Sequence, residues 1–286
     1  MIIVKIWGGI GNQLFQYVFG QYLHYRFGQV VYYDNNSYYT VDKLRKSELD
    51  ALSNCDEIVY DNRCSFSRFR GVKNRILRFA FQAHPRHHYI GEGKRVPQTY
   101  RENHLYYFQG YWQDIKYYDW LKKNVQDFNI QSKSKPKDLE VYLKEITADK
   151  DSISMHIRRG DYFLPENVNV YGVCDSDYYN RAITYIKKKK PNGNIYVFSD
   201  DLDWVKNNIT IKRDFEIIEN YNISPFFYIE LMSLCKHHII SNSSFSWWGA
   251  VINAAEDGIV VCPSRWTLNK DATIALKEWH KIEVCL

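Results

Sequence analysis

The residues best suited to chemistry in this chain are the two adjacent arginines of the segment His156–Tyr162, whose sequence is HIRRGDY. They follow the apolar run Ile153–Ile157, which is typical of a buried strand, and Arg-Arg-Gly-Asp favours a tight turn after it. In open α/β sheets, ligands bind at the carboxyl ends of the strands. Because a guanidinium offers five donors in a fixed geometry that fits phosphate oxygens, the pattern predicts an anion site, best suited to a pyrophosphate. The alternative is a surface turn whose Arg and Asp form ordinary ion pairs.

A glycine-rich turn near the amino terminus, Gly8-Gly9-Ile10-Gly11-Asn12-Gln13, is the second candidate. Glycines between a strand and a helix let the backbone approach a ligand closely and direct helix amides toward an anion. The pattern is not a dinucleotide-binding fingerprint, since Asn12 and Gln13 follow the last glycine and the acid nearest the end of the second strand is Asp34. A tight turn without a ligand is the alternative, although the amides of Asn12 and Gln13 can form hydrogen bonds with a sugar.

The third candidate lies in Ile239–Ala250, IISNSSFSWWGA, where an apolar strand gives way to hydroxyl groups and then to a helix. Ser243, Ser244 and Ser246 can cap that helix, and with its backbone amides they can also bind a phosphate. The two tryptophans of the segment are expected to pack the helix against the sheet, the alternative being contact with the face of a sugar.

Acidic residues follow another predicted strand in Phe198–Asp203, FSDDLD. Asp201 and Asp203 have the spacing of a metal-binding DxD pair, as does the segment Asp175–Asp177. Each pair also precedes a helix that it can cap, and capping is the preferred interpretation. The other use of Asp200 or Asp201 is to accept hydrogen bonds from a base edge or a ribose hydroxyl.

These residues must be positioned by alternating strands and helices, which predict an α/β protein with parallel sheets. The first half of the chain predicts strands Ile2–Trp7, Val30–Tyr33 and Tyr106–Tyr111 and helices Asn12–Phe27 and Ile115–Val125. The second half predicts strands Ser152–Ile157, Ile195–Phe198, Phe215–Ile218, His238–Ser241 and Ile259–Cys262, and helices Asp177–Lys188, Asp201–Asn207, Pro225–Cys235 and Ser246–Ala255. Residues 35–103 are weakly periodic, which predicts short helices and long loops.

The polar, proline-bearing segment Gln131–Lys137 is the best linker. It predicts two domains, residues 1–135 and 136–286, with a cleft between them. The cluster His84–His88 has no cysteine or acidic companion, so a solvated loop is preferred there to a metal site.

Composition excludes several classes of protein. The chain has 286 residues, 45% hydrophobic and 25% charged, as in folded globular proteins, and no apolar run reaches the length of a membrane span. Its six cysteines have no paired spacing, and its amino terminus lacks the layout of a signal peptide, so a cytoplasmic protein with free thiols is expected.

The net charge of +5 is unevenly distributed, because the stretch from Arg63 to Arg101 has ten basic residues and only one acid, Glu92. A solvated basic face is the preferred interpretation of this stretch. The alternatives are that the stretch binds an anionic membrane surface or an acidic glycolipid, or that it binds a nucleic acid. No known nucleic-acid-binding motif in the sequence supports the last alternative. The basic residues are Arg63, Arg68, Arg70, Lys73, Arg75, Arg78, Arg86, Lys94, Arg95 and Arg101.

Across essentially its whole length, the chain resembles the bacterial α1,2-fucosyltransferases of glycosyltransferase family 11. The resemblance rests on five motifs in order, which are GGIGNQLFQYVFG at the amino terminus, GYWQD at Gly110–Asp114, HIRRGDY, YVFSDD at Tyr196–Asp201, and CKHHIISNSSFSWWGA at Cys235–Ala250. It implies a GT-B-like fold of two Rossmann-like domains facing each other across a cleft. It also implies a GDP-fucose donor bound by the domain at 136–286, an acceptor-side domain at 1–135, and inversion at the fucose anomeric carbon without a metal or another cofactor.

The resemblance also implies roles for individual residues. Arg158 would bind the diphosphate and stabilise the departing GDP, with Arg159 assisting. The other residues implied on the donor side are His156, Asp200, Asp201, Ser243, Ser244 and Phe245. The residues implied on the fucose or acceptor side are Gly9, Gly11, Asn12 and Gln13.

Asp161 is the candidate general base, since it is the only carboxylate of the motif near Arg158. Its alternative role is a salt bridge that holds the arginines in place. The expected reaction is transfer of L-fucose to O-2 of a terminal galactoside on an oligosaccharide or glycolipid. The alternatives are an α1,3-fucosyltransferase of the same family, a metal-dependent glycosyltransferase using Asp201 and Asp203, and a non-catalytic protein that binds a nucleotide sugar or a glycan.

Overall fold

The computed structural model describes the chain except for residues 43, 69–70, 134–135, 211–213, 220–222, 269–272 and 285–286. It divides into two compact units, here called the N-terminal unit, Met1–Lys133, and the C-terminal unit, Ser134–Leu286. Some residues on which the expectations above depend lie outside the described part. They are Arg70, Ser134 and Lys135 of the expected linker, Cys285 among the six cysteines, and the side chains of Arg68 and of a second cysteine, Cys55.

The N-terminal unit is built on a parallel sheet of five strands in the order β3-β2-β1-β5-β4. Ile2, Ile3 and Val4 of the central strand are almost fully buried, as expected for a sheet covered on both faces. The elements are β1 (Ile2–Lys5), α1 (Ile10–Phe27), β2 (Val31–Asp34), α2 (Ser37–Thr40), β3 (Val59–Tyr60), α3 (Gly71–Ala83), β4 (His87–Gly91), β5 (Leu105–Gln109) and α4 (Ile115–Asn124).

The C-terminal unit is built on a second parallel sheet, of six strands in the order β11-β10-β9-β6-β7-β8. All residues of β6 and β7 are buried, so the chain leaves the core only where these strands end. The elements are α5 (Glu140–Ala148), β6 (Ile153–Ile157), α6 (Pro165–Tyr171), α7 (Ser176–Lys189), β7 (Ile195–Ser199), α8 (Leu202–Asn208), β8 (Phe215–Ile217), α9 (Phe226–Ser233), β9 (His237–Ile239), α10 (Ser244–Val251), β10 (Val260–Pro263) and β11 (His280–Ile282).

The expected α/β class and parallel sheets are confirmed. The expected solvated loop at His84–His88 is confirmed only for residues 84–86, which form an exposed turn. It is wrong for His87 and His88, because they begin strand β4 and pair with β5. The His87 ring stacks on Phe81 with the ring centroids 4.6 Å apart. The His88 ring has its Nε2 atom 2.8 Å from Nδ1 of His104. Stacking and hydrogen bonding therefore hold these histidines in the sheet.

No helix among the described residues is both long and apolar enough to span a bilayer. Four cysteines are described as free thiols, and three of them are buried, namely Cys174, Cys235 and Cys262.

Candidate active site

The turn after β6 places Arg158 between two carboxylates. Its Nη2 atom lies 2.6 Å from Oδ1 of Asp161, and its Nη1 atom lies 2.7 Å from Oδ2 of Asp200. Asp161 belongs to the short 3-10 helix Gly160–Phe163, and Asp200 directly follows β7, the neighbour of β6 in the sheet. The two carboxylates thus hold the guanidinium from both sides, which fixes its orientation before any ligand binds.

Arg159 is fixed through both its backbone and its side chain. The backbone N–H donates to Oδ1 of Asp200 at 2.9 Å, and Nε donates to Oδ2 of Asp201 at 3.1 Å. The guanidinium carbon lies 4.1 Å from the ring centroid of Trp204, a cation–π distance. Asp201 also caps α8, since its Oδ1 accepts from the N–H of Trp204 at 3.0 Å, so the capping interpretation is confirmed for this residue.

Gly160 lets these groups approach one another. A Cβ atom at this position would lie 2.7 Å from Oδ2 of Asp200, closer than real Cβ contacts allow. Asp200 would then have to move away from Arg158. The glycine of the RRGD motif is therefore needed for close approach of a carboxylate to the backbone.

Arg158, Arg159, Asp161, Asp200 and Asp201 are together called the arginine–aspartate cluster. With two cations and three anions, the cluster has a net charge of about −1 when all five groups are ionised. The described ion pairs use two of the five N–H donors of Arg158, whose side chain is 28% exposed. Donors therefore remain for an incoming anion, which competes with the carboxylates for the guanidinium.

His156 is the penultimate residue of β6, two residues before Arg158. It is 4% exposed, its Nδ1 atom is 3.1 Å from Oγ of Ser241, and its ring centroid is 5.0 Å from that of Phe245. Burial, and secondarily the charge of Arg158, lowers the pKa of His156 to about 3. The imidazole is therefore neutral near pH 7 and can donate or accept one hydrogen bond, depending on its tautomer.

The serine-rich turn after β9 is shaped by hydrogen bonds of its own. Ser243 caps α10 by accepting from the N–H of Phe245 at 3.3 Å, which confirms capping for this serine. The hydroxyl of Ser246 instead donates to the carbonyl groups of Ser241 and Ser243. Ser244 and Phe245 are partly exposed at the start of the helix. The predicted packing role of the two tryptophans is confirmed, since both are almost fully buried.

Asn242 has a role that the sequence patterns did not indicate. Its Nδ2 group donates to the carbonyl groups of Tyr171 and Trp266, at 3.0 Å and 3.2 Å, and its backbone carbonyl accepts from the Tyr162 hydroxyl at 2.9 Å. It thereby joins the serine-rich turn to the segment that follows the arginines. Asn242 is 1% exposed. Its burial and its bridging role could not be predicted from the sequence, because its hydrogen-bond partners are distant along the chain.

The second acidic pair is also explained by local structure. Asp175 caps α7 by accepting from the N–H of Tyr178 at 2.8 Å, and Asp177 pairs with Arg181 at 2.8 Å. Among the described residues, no group of three or more His, Cys, Asp or Glu side chains is arranged to hold a metal ion.

In the N-terminal unit, the glycine-rich turn joins β1 to α1. Gly8 has a φ of +83°, a conformation that side chains disfavour. Asn12 and Gly9 are partly exposed, whereas Gly11 is buried. The Oδ1 atom of Asn12 accepts from Nε2 of Gln113 at 2.8 Å, which links this turn to the GYWQD motif.

Gln13 differs from the expectation that it faces a sugar. Its side chain is fully buried, and Nε2 donates to the carbonyl groups of Gly8 at 3.0 Å and Lys46 at 2.9 Å. Its Oε1 accepts from the N–H of Glu48 at 2.9 Å. All of these partners are in the protein, so Gln13 holds the turn in shape here and does not face a ligand.

Three comparisons with known proteins point in the same direction. Residues 80–283 match the model of the family described as glycosyl transferase family 11. The O-antigen biosynthesis glycosyltransferase WbnK of Escherichia coli is 39% identical over 148 residues, which are 50% of this chain and 48% of WbnK. An alpha-1,2-colitosyltransferase of Escherichia coli is 29% identical over 285 residues, which are 93% of this chain and 92% of that protein.

Among solved structures, the fucosyltransferase NodZ from Bradyrhizobium superposes with a TM-score of 0.52. The superposition covers 88% of this chain and 91% of NodZ, at 14% sequence identity. At that identity the likeness shows the fold alone, which is of the GT-B-like type with two parallel α/β sheets.

Proposed function

Because the chain belongs to glycosyl transferase family 11, we propose that it transfers L-fucose from GDP-fucose to a terminal galactoside, with inversion at the anomeric carbon and O-2 as the acceptor atom. The observation that carries this proposal is the fixed pair of guanidiniums, Arg158 and Arg159, at the carboxyl end of the six-stranded sheet. A relative named alpha-1,2-colitosyltransferase supports the linkage, and a NodZ crystal soaked with GDP-fucose supports the donor class.

Arg158 acts on the leaving group in this proposal. When the bond between fucose and the diphosphate breaks, positive charge develops on the sugar ring and negative charge on the departing GDP. A guanidinium that is already oriented stabilises this charge without reorganising during the reaction. Asp161 and Asp200 supply that orientation, because each binds a different Nη atom of the same guanidinium.

Asp161 is proposed to take the proton that the acceptor hydroxyl loses as it attacks the opposite face of the sugar. Its salt bridge to Arg158 gives it a second, holding role. The variant Asp161→Asn keeps an oxygen that can accept from Arg158 but removes the base. A large loss of activity at every pH supports a role of Asp161 as the general base. A loss of only a few-fold supports a role that is limited to holding Arg158 in place.

The donor side of the site is proposed to include the neutral His156 and the turn at Ser243, Ser244 and Phe245. The charge of the diphosphate is met by arginines and by amides at the start of α10, so the reaction is proposed to need no metal and no other cofactor. The sugar of the donor needs its own test, because one relative is named for colitose and not for fucose. GDP-fucose and the corresponding GDP donor of colitose should therefore be compared directly.

Helix α3 is proposed to contact an anionic membrane surface, where a glycolipid acceptor would be found. Ile76, Leu77 and Phe79 are 60%, 39% and 75% exposed, and Lys73 and Arg75 are exposed on the same helix. An exposed apolar stripe with basic neighbours is typical of helices that lie in the membrane interface.

Flotation with vesicles tests this contact. Binding to vesicles containing phosphatidylglycerol, but not to phosphatidylcholine alone, is expected, and Ile76→Ser should weaken it. Val141→Ser is the matched control, since Val141 on α5 is also 60% exposed. Equal binding by the two variants would contradict the proposed surface.

The activity itself is tested by mixing the chain with GDP-fucose and lactose, with and without excess chelator. Release of GDP, together with an α1,2-linked trisaccharide in both conditions, supports the proposal. An α1,3 linkage would correct the acceptor atom, and loss of activity in chelator would favour the metal-dependent alternative. Binding of GDP-fucose without turnover would favour a non-catalytic binding protein.

A further inference from the structure

The GYWQD motif at Gly110–Asp114 forms a strained turn at the end of β5. Trp112 has a φ of +57°, a left-handed conformation that is unfavourable for a bulky residue. A Cβ atom at Gly110 would lie 2.7 Å from Cβ of Glu92. Such an unfavourable conformation persists only when the surrounding contacts enforce it.

Three groups enforce the turn. The carboxylate of Glu92 accepts from the backbone N–H groups of Tyr111 and Trp112, each at 3.0 Å. The Trp112 ring stacks on Phe19 with centroids 4.1 Å apart and planes 10° apart. The buried Gln16 side chain accepts from the N–H of Trp7 at 3.0 Å and donates to the carbonyl of Gly110 at 3.5 Å, which joins this turn to the end of β1.

The strained turn presents an aromatic pair. The rings of Trp7 and Tyr111 lie with centroids 4.8 Å apart and planes inclined at 32°, and both residues are partly exposed. A Cβ atom at Gly8 would lie 3.6 Å from the Tyr111 ring, which is ordinary van der Waals contact, so the tyrosine lies directly beside the glycine-rich turn.

The same turn presents a pair of amides. Gln113 donates from Nε2 to Oδ1 of Asn12, and both residues are partly exposed. Within the part of the chain that the structure describes, the Nδ2 group of Asn12 and the Oε1 atom of Gln113 have no hydrogen-bond partner in the protein. One donor group and one acceptor therefore lie next to each other at the carboxyl end of this sheet.

We propose that Trp7, Tyr111, Asn12 and Gln113 form a binding subsite for the pyranose ring of the acceptor galactoside. A pyranose has a C–H face, which packs on aromatic rings, and an edge of hydroxyls, which pair with amide donors and acceptors. Asn12, Gln113 and the two rings carry no formal charge, which suits a neutral sugar. The inference rests on the proposed function for the identity of the sugar, and it assigns a role to the GYWQD motif.

Saturation-transfer NMR with methyl β-D-galactoside tests the subsite directly, because it needs neither donor nor turnover. Irradiating aromatic protons of the full chain should transfer saturation to C–H protons on one face of the sugar. Tyr111→Ala and Gln113→Ala should weaken binding by about fivefold to tenfold, the range expected for one aromatic or hydrogen-bonding contact. Tyr25→Ala, at an exposed tyrosine of α1, is the matched control and should not change it.

Enzyme kinetics separate failure of the subsite from failure of the proposed function. If transfer occurs, both variants should raise KM for lactose by the same factor, while KM for GDP-fucose stays near its original value. If no transfer occurs but the NMR effect is lost in the variants, the subsite stands and the proposed reaction fails. Unchanged galactoside binding in Gln113→Ala and in Tyr111→Leu, a milder change should Tyr111→Ala not fold, overturns the subsite.

Discussion

At the end of the C-terminal sheet, two arginines and three aspartates lie in contact, whereas the end of the N-terminal sheet presents aromatic rings and amides. Both turns nevertheless depend on the same arrangement, in which a glycine makes room for an acid that binds backbone N–H groups. In one turn Gly160 admits Asp200, which accepts from the N–H of Arg159. In the other, Gly110 admits Glu92, which accepts from two consecutive N–H groups.

The difference lies in the second oxygen of each acid. The second oxygen of Asp200 binds the guanidinium of Arg158, so this turn presents charge. Both oxygens of Glu92 bind backbone, so its charge is not presented, and the side chains of Tyr111 and Gln113 in that turn are neutral. The arginine–aspartate cluster, here called the charged edge, suits a leaving diphosphate. The group of Trp7, Tyr111, Asn12 and Gln113, here called the neutral edge, suits a sugar. Substitutions at the two edges are therefore expected to affect different kinetic constants.

The largest effect is expected from Arg158→Ala. Removing a donor aimed at developing charge typically costs a hundredfold or more in rate, so kcat should fall by at least that factor. Steady-state measurement of GDP release with lactose as acceptor checks it, and circular dichroism checks that the variant folds.

Arg181→Ala is the matched control, because Arg181 also pairs with an aspartate but lies on helix α7 outside the cluster. It should keep nearly all activity. A near-normal kcat in Arg158→Ala would show that the charged edge does not stabilise the leaving group, whatever the effect of the substitution on KM.

Acid should destabilise the C-terminal unit through two buried histidines. Burial lowers the pKa of His156 and of His238 to about 3, below the value near 6.5 of the unfolded chain. Because the folded pKa is depressed, the stabilisation is present above pH 6.5 and is lost as the pH falls toward 3. Between pH 7.5 and pH 5.5 the two groups together should lower the free energy of unfolding by about 3 kcal/mol.

Urea unfolding followed by tryptophan fluorescence measures this loss, since five of the eight tryptophans lie in the C-terminal unit. His238→Asn should remove about half of the pH dependence. His238 is the better substitution because its Nδ1 forms a hydrogen bond with the Ser154 hydroxyl, at 2.8 Å, and because it lies outside the arginine–aspartate cluster. Equal stability of the native chain at the two pH values would contradict the buried, neutral state of both rings.

The sequence predicted the charged edge better than the neutral one. In the C-terminal unit, apolar runs end within one or two residues of the observed strands, and the motif residues follow them, so Arg158 and Asp161 could be placed on one turn from periodicity alone. In the N-terminal unit, strand β4 begins with two histidines after a proline, a pattern typical of loops. Its place in the sheet depends on pairing with β5, which local sequence does not encode.

Long-range hydrogen bonds account for the remaining differences. Gln13 looked like a surface amide, but it is buried because carbonyl and N–H groups of three other residues satisfy it. Glu92 looked like a single acid in a basic stretch, but it binds a turn that lies about twenty residues further along the chain. The hydrogen-bond partners of Gln13 and Glu92 could not be predicted from the spacing of residue types, because these partners are backbone groups.

Substitution of the glycine at the charged edge should have a smaller effect than loss of the arginine. In Gly160→Ala the added Cβ forces Asp200 away, so Arg158 loses one of its two supports and kcat should fall tenfold to a hundredfold. Gly91→Ala in β4 is the control, because the nearest atom to its Cβ would be 4.0 Å away. A change in KM for lactose alone, with kcat unchanged, would show that the charged edge binds the acceptor instead.

The smallest effects should separate two neighbours at the neutral edge. Gln13→Ala leaves buried backbone groups without partners, which should lower the free energy of unfolding by about 1–2 kcal/mol and leave KM for lactose near its original value. Asn12→Ala removes a partly exposed donor group, so it should raise KM for lactose about threefold to tenfold with little loss of stability. Urea unfolding and acceptor kinetics on both variants measure the contrast. If Gln13→Ala were the one that raised KM in a fully stable protein, this glutamine would have to leave its buried position to meet the sugar.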